Sequence, residues 1–169
     1  MSFELQPTLK NQLIELVPLK NTDFEKLYMA ASDPLIWEQH PMKDRHKREV
    51  FEVYFKEAIE SGGAFLFIDA VSREVIGSSR YYYLDEAKST VSIGYTFMTR
   101  RYWGKGYNES IKSLMLNHAF RFVDHVYFHV GAYNIRSQIA IQRLGAVKVV
   151  EKDEKFTYLL EKRCWNGLT

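Results

Sequence analysis

Val91-Ser92-Ile93-Gly94-Tyr95-Thr96-Phe97-Met98, then Arg101-Tyr102-Trp103-Gly104-Lys105-Gly106, then Tyr107-Asn108, is the stretch on which the reading of the fold turns. Residues 90–98 are β-rich, whereas after Gly106 the apolar positions Ile111, Leu114, Met115, His118, Ala119 and Phe122 recur at helical spacing. A strand that passes through a glycine loop into a helix start presents unpaired backbone N–H groups and the positive end of the helix dipole. Glycines let that backbone approach an anion closely, so the arrangement suits a pyrophosphate. His118, on the apolar stripe, reads as a packing histidine because no metal-type partner lies at helical spacing from it.

Two glycines separated by one residue also fit a plain tight turn, so the neighbouring residues have to discriminate. Gly104-Lys105-Gly106 is followed by Tyr107 rather than a magnesium-binding hydroxyl, which excludes a Walker loop. The third glycine of a dinucleotide fingerprint is missing, and the preceding strands read as antiparallel.

Upstream, Ala64 to Ala70, Val75 to Leu84 and Thr90 to Met98 are joined by links short enough for hairpins, which predicts a meander. Gln12 to Leu19 reads as a first strand. Thr22 and Glu25 have capping-box spacing before a short helix carrying Phe24, Leu27, Tyr28 and Ala31. His46 to Ile59 reads as a second amphipathic helix, entered through the charged run Lys43 to Arg48, taken as solvated. Downstream come a strand at Asp124 to Val130, a helix at Asn134 to Leu144 and a hairpin from Ala146 to Val150 and Phe156 to Glu161. The sum is a single α+β domain over residues 1–169 with a mixed, mostly antiparallel sheet of about seven strands flanked by about four helices.

A chain of 169 residues with 46% hydrophobic and 26% charged residues can bury a core without metals or disulfides. A net charge of +2, with scattered basic residues, argues against a nucleic-acid footprint. No apolar run suits a membrane span, the amino terminus does not read as a signal peptide, and the lone Cys164 cannot form an internal disulfide. A cytoplasmic setting is therefore expected.

The spacing Arg-x-x-Gly-x-Gly after a strand resembles the acyl-CoA pyrophosphate loop of the GNAT N-acetyltransferase superfamily. The longer string IGYTFMTRRYWGKGYN looks most like its RimJ/RimL-type branch. A second block, Asn134-Ile135-Arg136-Ser137 with Ala140-Ile141 and Arg143-Leu144-Gly145-Ala146, lies downstream at the distance usual for that family, and the resemblance runs from about Ile76 to Val150. It implies a GNAT-like acyl-CoA N-acyltransferase fold and an N-acetyltransferase that uses acetyl-CoA as cosubstrate, without a metal. The backbone of Arg101, Tyr102, Trp103, Gly104, Lys105, Gly106 and the helix start at Tyr107 would hold the pyrophosphate, with the Arg101 and Lys105 side chains adding charge. The backbone of Phe97 and Met98 would pair with the pantetheine arm as an added strand would, and Asn134 would bond that arm from the far side. Ser137 stands where relatives place a hydroxyl near the sulfur, as the catalytic residue for thiolate departure, or else serves its own helix start. Tyr95 and Tyr133 are further phenols that could take that part.

The acceptor expected is a primary amine: a protein amino terminus, an amino acid or a small polyamine-like compound. Many relatives carry a glutamate immediately before Ile-Gly-Tyr, where this chain has Ser92. The proton of the amine would then leave through water, Glu38, His40 or His129, or the amine would arrive deprotonated. Tyr81, Tyr82 and Tyr83, with Trp37, pack on the sheet or form an aromatic wall for the acceptor. A binding module that holds acyl-CoA with little turnover is the alternative that Ser92 raises, and an unrelated phosphate-binding protein is a third. An exposed strand edge could support a homodimer.

Overall fold

The alternating segments pair into one sheet of eight strands in the order β1-β2-β3-β4-β5-β6-β8-β7, described for residues 2–167 of a computed structural model. The strands are β1 (Leu9–Lys10), β2 (Ile14–Pro18), β3 (Ala64–Asp69), β4 (Val75–Asp85), β5 (Thr90–Met98), β6 (His125–Gly131), β7 (Val147–Lys152) and β8 (Lys155–Glu161). The helices are α1 (Phe24–Ala31), α2 (Arg48–Ser61), α3 (Tyr107–Ala119) and α4 (Ile135–Arg143). Every neighbouring pair is antiparallel except β5 and β6.

β3 explains how the sheet is covered on both sides. Its side chains alternate between faces. Phe65 and Phe67 join Ile111, Met115 and Leu116 of α3 in one core, while Ala64 and Leu66 join Leu27 of α1 and Phe51, Tyr54 and Phe55 of α2 in the other. Phe67 is fully buried. Phe67→Ala should therefore cost about 3–5 kcal/mol by chemical denaturation, from lost transfer energy and the cavity left behind.

Local chemistry moves several predicted boundaries. The entry to α1 is closed by Asp23, whose Oδ2 accepts the Lys20 N–H at 2.8 Å, rather than by Thr22 and Glu25. Glu25 instead takes both Nη groups of Arg48 at 2.7 and 2.9 Å. α2 starts at Arg48, not His46, because Lys47 is still extended, and it ends at Gly62, whose φ of 66° belongs to the left-handed region glycine tolerates. β1, two residues long, was too short to carry a readable alternation. β7 closes the far edge of the sheet with Val147, Val149 and Val150 exposed. His118 is buried against Phe3, Tyr81 and Phe122, its Nε2 2.7 Å from the Glu4 carbonyl, as a packing histidine should be.

Candidate active site

The parallel pair β5–β6 stays in register for only three residues: Thr90 opposite His125, Val91 opposite Val126 and Ser92 opposite Tyr127. Beyond Ser92 the strands part, and a cleft of about 580 Å³ opens with residues 94–98 on one wall and 128–131 on the other. That volume is typical of a small-molecule site. The edge of β5 facing the cleft thus carries backbone groups outside the sheet ladder, a ready edge for an extended ligand.

A bulge re-aims β5 at the mouth of this split. Ser78 pairs with Phe97 and Arg80 with Gly94, so Ser79 faces both Tyr95 and Thr96. Tyr95 has a φ of 55°, unusual for a bulky residue, and two contacts hold it there. The Tyr54 hydroxyl donates to the Tyr95 carbonyl at 2.5 Å, and the Arg80 guanidinium lies 3.9 Å from the centre of the Tyr95 ring. From α3, Lys112 reaches the other side of the bulge, its Nζ donating to Thr96 Oγ1 at 2.8 Å, and Thr96 Oγ1 stands 2.7 Å from Ser79 Oγ. Lys112 is buried, and burial lowers its pKa to about 7.

The glycine loop sits at one end of the cleft. Gly104 and Gly106 have φ of 72° and 83°, and a Cβ on either would meet nothing within 4 Å, so the loop backbone is bare toward open space. Gly106 caps α3, leaving the first amides of that helix free of a side-chain cap. This fits a pyrophosphate carried on backbone. The loop side chains do other work. Arg101 is bonded to Glu74, and the Tyr102 hydroxyl donates to the same carboxylate at 2.7 Å, so the Arg101 charge is matched outside the cleft instead of being aimed into it. Lys105 is exposed. Tyr107 binds Asp69 on β3 and pins the start of α3 to the sheet. Trp103 lines the cleft, and its indole N–H donates to the Met98 carbonyl at 2.9 Å, so that carbonyl is already engaged.

Asn134 and Ser137 converge on the same cleft from α4. Asn134 is buried and caps α4, its Oδ1 accepting the Ser137 N–H at 3.3 Å. The first turn of α4 is also tied to the segment after α1: Arg136 N–H donates to Gln39 at 3.1 Å, and the Arg136 guanidinium pairs with Glu38 at 3.1 Å while lying 4.5 Å from the Trp103 ring centre. Glu38 is therefore engaged with Arg136. Tyr133 is exposed and turned toward Glu154, whereas Tyr95 lines the cleft.

Ser92, buried at the point where the strands part, stands 3.0 Å from His129 Nε2, and His129 Nδ1 stands 3.2 Å from Thr157 Oγ1 on β8. Burial, with Lys155 nearby, lowers the His129 pKa from its ordinary 6.5, so the ring is neutral at pH 7. His40 also lines the cleft and is held at about 4 by burial and by Arg45 and Arg136. Arg45, read in the sequence as part of a solvated run, instead lies over Trp37, Tyr54 and Tyr95 and lines the cleft. Tyr82 lines it too, while Tyr81 is in the core and Tyr83 is exposed. Asn108, Lys112 and Arg45 are cleft residues that periodicity did not single out.

Residues 14–147 match a family described as acetyltransferase (GNAT) domain. Among solved structures, a GCN5-related N-acetyltransferase from Brucella melitensis is similar with a TM-score of 0.86 at 16% identity, over 97% of this chain and 82% of that one. A probable GNAT-family acetyltransferase from Chromobacterium violaceum has a TM-score of 0.83 at 17% identity, over 99% and 93%. A putative ribosomal-protein-serine acetyltransferase from Vibrio cholerae has a TM-score of 0.73 at 13% identity, over 93% and 98%. A search of the curated proteins gave no match. Among the described residues, no helix is long and apolar enough to cross a membrane.

Proposed function

The chain belongs to the GNAT acetyltransferase family, and on that premise we propose that it is an N-acetyltransferase, moving the acetyl group of acetyl-CoA directly to a primary amine in the cleft between β5 and β6. The parting of those strands after Ser92, beside a bare glycine loop, is the observation that carries this reading. Backbone amides from Arg101 to Gly106 and the start of α3 hold the pyrophosphate. The free edge of β5 receives the pantetheine arm at Met98, chiefly through its N–H, because Phe97 pairs with Ser78 in the β4 ladder and the Met98 carbonyl is shared with Trp103. The Tyr-Trp-Gly-x-Gly loop supports the RimJ/RimL-type branch.

Acetyl-CoA supplies the activated acyl group when bound. In the transfer a C–N bond forms and the C–S bond breaks, so one proton must leave nitrogen and one must reach sulfur. His129 takes the first at Nε2, with the Ser92 hydroxyl in position to relay it; Thr157 fixes the ring from Nδ1. In this chain the pair Ser92–His129 replaces the carboxylate that relatives place before Ile-Gly-Tyr. Ser137, lining the cleft from the first turn of α4, gives or solvates the proton for sulfur. No carboxylate lines the cleft among the described residues, so its candidate bases are the neutral histidines and Lys112, and of these His129 stands at the parting of the strands.

Purified protein should bind acetyl-CoA by calorimetry and release CoA thiol with a panel of primary amines. The acetyl group should appear on nitrogen by mass spectrometry. Absence of acetyl-CoA binding would overturn the reading, and tight binding with no turnover on any amine would favour the acyl-CoA-binding module instead.

A further inference from the structure

Building on the acetyl-transfer reading, we infer that the acceptor is a primary amine that also carries a carboxylate, received by Arg45 on the α2 side of the cleft. Arg45 belongs to the segment before α2, and its guanidinium stands 5.7 Å from the ring of Trp37, 5.2 Å from Tyr54 and 5.8 Å from Tyr95. Arg80 of β4, only 4% exposed, shares two of those rings, at 5.1 Å from Tyr54 and 3.9 Å from Tyr95. One Arg80 Nη donates to the Tyr54 carbonyl at 3.3 Å, while its buried Nε has no hydrogen-bond partner.

Two guanidinium charges therefore share one pair of tyrosine rings beside the cleft. Among the described residues neither forms an ion pair with a carboxylate, and Glu57 acts on Arg45 only through space. Ring faces compensate a buried cation in part, and a hydrogen-bonded anion compensates it further. Burial, together with the repulsion from Arg80, holds Arg45 below the ordinary arginine range.

The other cleft cations have separate employment. Arg136 is matched by Glu38. Lys112 donates to Thr96, and Arg143 on α4 and Lys155 on β8 are exposed, so solvent screens them. The guanidinium groups sheltered from solvent without an anion are Arg45 at the cleft wall and Arg80, which shares its tyrosine rings, on the opposite side of the sheet from α3. A guanidinium fork in this setting accepts a carboxylate through two parallel N–H···O bonds, and the tyrosine and tryptophan faces exclude water around it. A polyamine would bring only like charge to this wall.

Matched acceptors test the inference: phenylalanine against phenylalaninamide and phenethylamine, and 4-aminobutyrate against putrescine, each at saturating acetyl-CoA. In wild type, kcat/KM for a carboxylated amine should exceed that of its analogue lacking the carboxylate at least 10-fold. Arg45→Met should collapse that ratio toward one through KM, with the Kd for acetyl-CoA retained. Equal or faster turnover of the amide or of putrescine overturns the inference and leaves acetyl transfer standing. Should no amine be turned over, titrating the CoA-saturated protein with phenylalanine and phenylalaninamide decides it. Phenylalanine bound at least 10-fold more tightly, with the preference lost in Arg45→Met, supports the carboxylate site, and equal affinities overturn it. Failure to bind acetyl-CoA by calorimetry is a separate result that overturns the acetyl-transfer reading on which the inference rests, and the inference falls with it.

Discussion

His129→Ala is expected to lower kcat about 100- to 10,000-fold, the usual range for loss of a positioned general base, with the Kd for acetyl-CoA unchanged. The expectation follows from the pair at the parting of β5 and β6, where Nε2 stands 3.0 Å from Ser92 Oγ and Nδ1 is held by Thr157. Ser92→Ala should cost less, because the ring remains neutral and Nε2 stays open to the amine. The sign of the pH dependence is set by the lowered His129 pKa. Activity should stay on a plateau through pH 7 and below 6.5, falling only as acid protonates the ring at its depressed pKa. Both His129 and His40 bind protons more readily in the unfolded chain, so the fold loses stability as pH drops below 6.5 and, for His40, on toward about 4. Rates should be read where circular dichroism shows the fold intact. An acid limb at or above 6.5, or a kcat within a few-fold of wild type in His129→Ala, would remove the ring from the mechanism.

Gly104→Val should weaken acetyl-CoA binding about 100-fold or more by calorimetry. A β-branched residue at a φ of 72° costs on the order of 1–3 kcal/mol in backbone strain. The added Cβ also projects into the open space before the loop, where it meets no protein atom within 4 Å, so the branched side chain it carries would obstruct an approaching phosphate. Gly62 supplies the comparison. It has a φ of 66° and equally open surroundings, but lies at the carboxyl end of α2, away from the loop. Gly62→Val should lose comparable stability and keep its affinity. Parallel losses of affinity in the two variants would mean that strain alone, not obstruction of a phosphate site, explains the Gly104 effect.

The sequence made some of this legible for definite reasons. Gly104, Gly106, Asn134 and Ser137 stand where one periodicity gives way to another, and such changeovers can be read without knowing the tertiary fold. Gly104, Asn134 and Ser137 line one cleft, and Gly106 caps the helix that leads away from it. Arg45 could not be read this way, because a basic residue among Lys43, Asp44, His46 and Lys47 has the composition of a solvated segment, and only the rings of Trp37, Tyr54 and Tyr95 draw it inward. Arg101 was assigned to the phosphates from its place in the loop, yet Glu74, from the turn before β4, takes its charge. Strand alternation gives the parity of His129 but not its neighbour, since the register of a parallel pair joined through a helix leaves no local trace in the sequence.

The short register of β5 and β6 also bears on how this chain tolerates substitution. In the proposed site, with the cosubstrate held by main-chain amides and a free strand edge, most side-chain replacements would leave the grip intact, and residues at left-handed backbone angles would be the constrained ones. The wall of Arg45, Arg80, Tyr54 and Tyr95, proposed above to receive the acceptor, has the opposite character, since its guanidinium groups and rings hold one another in place. Changes of acceptor should therefore arise by replacing that wall as a unit, through coupled rather than single substitutions, while the machinery that presents the acyl donor drifts in sequence without losing its task.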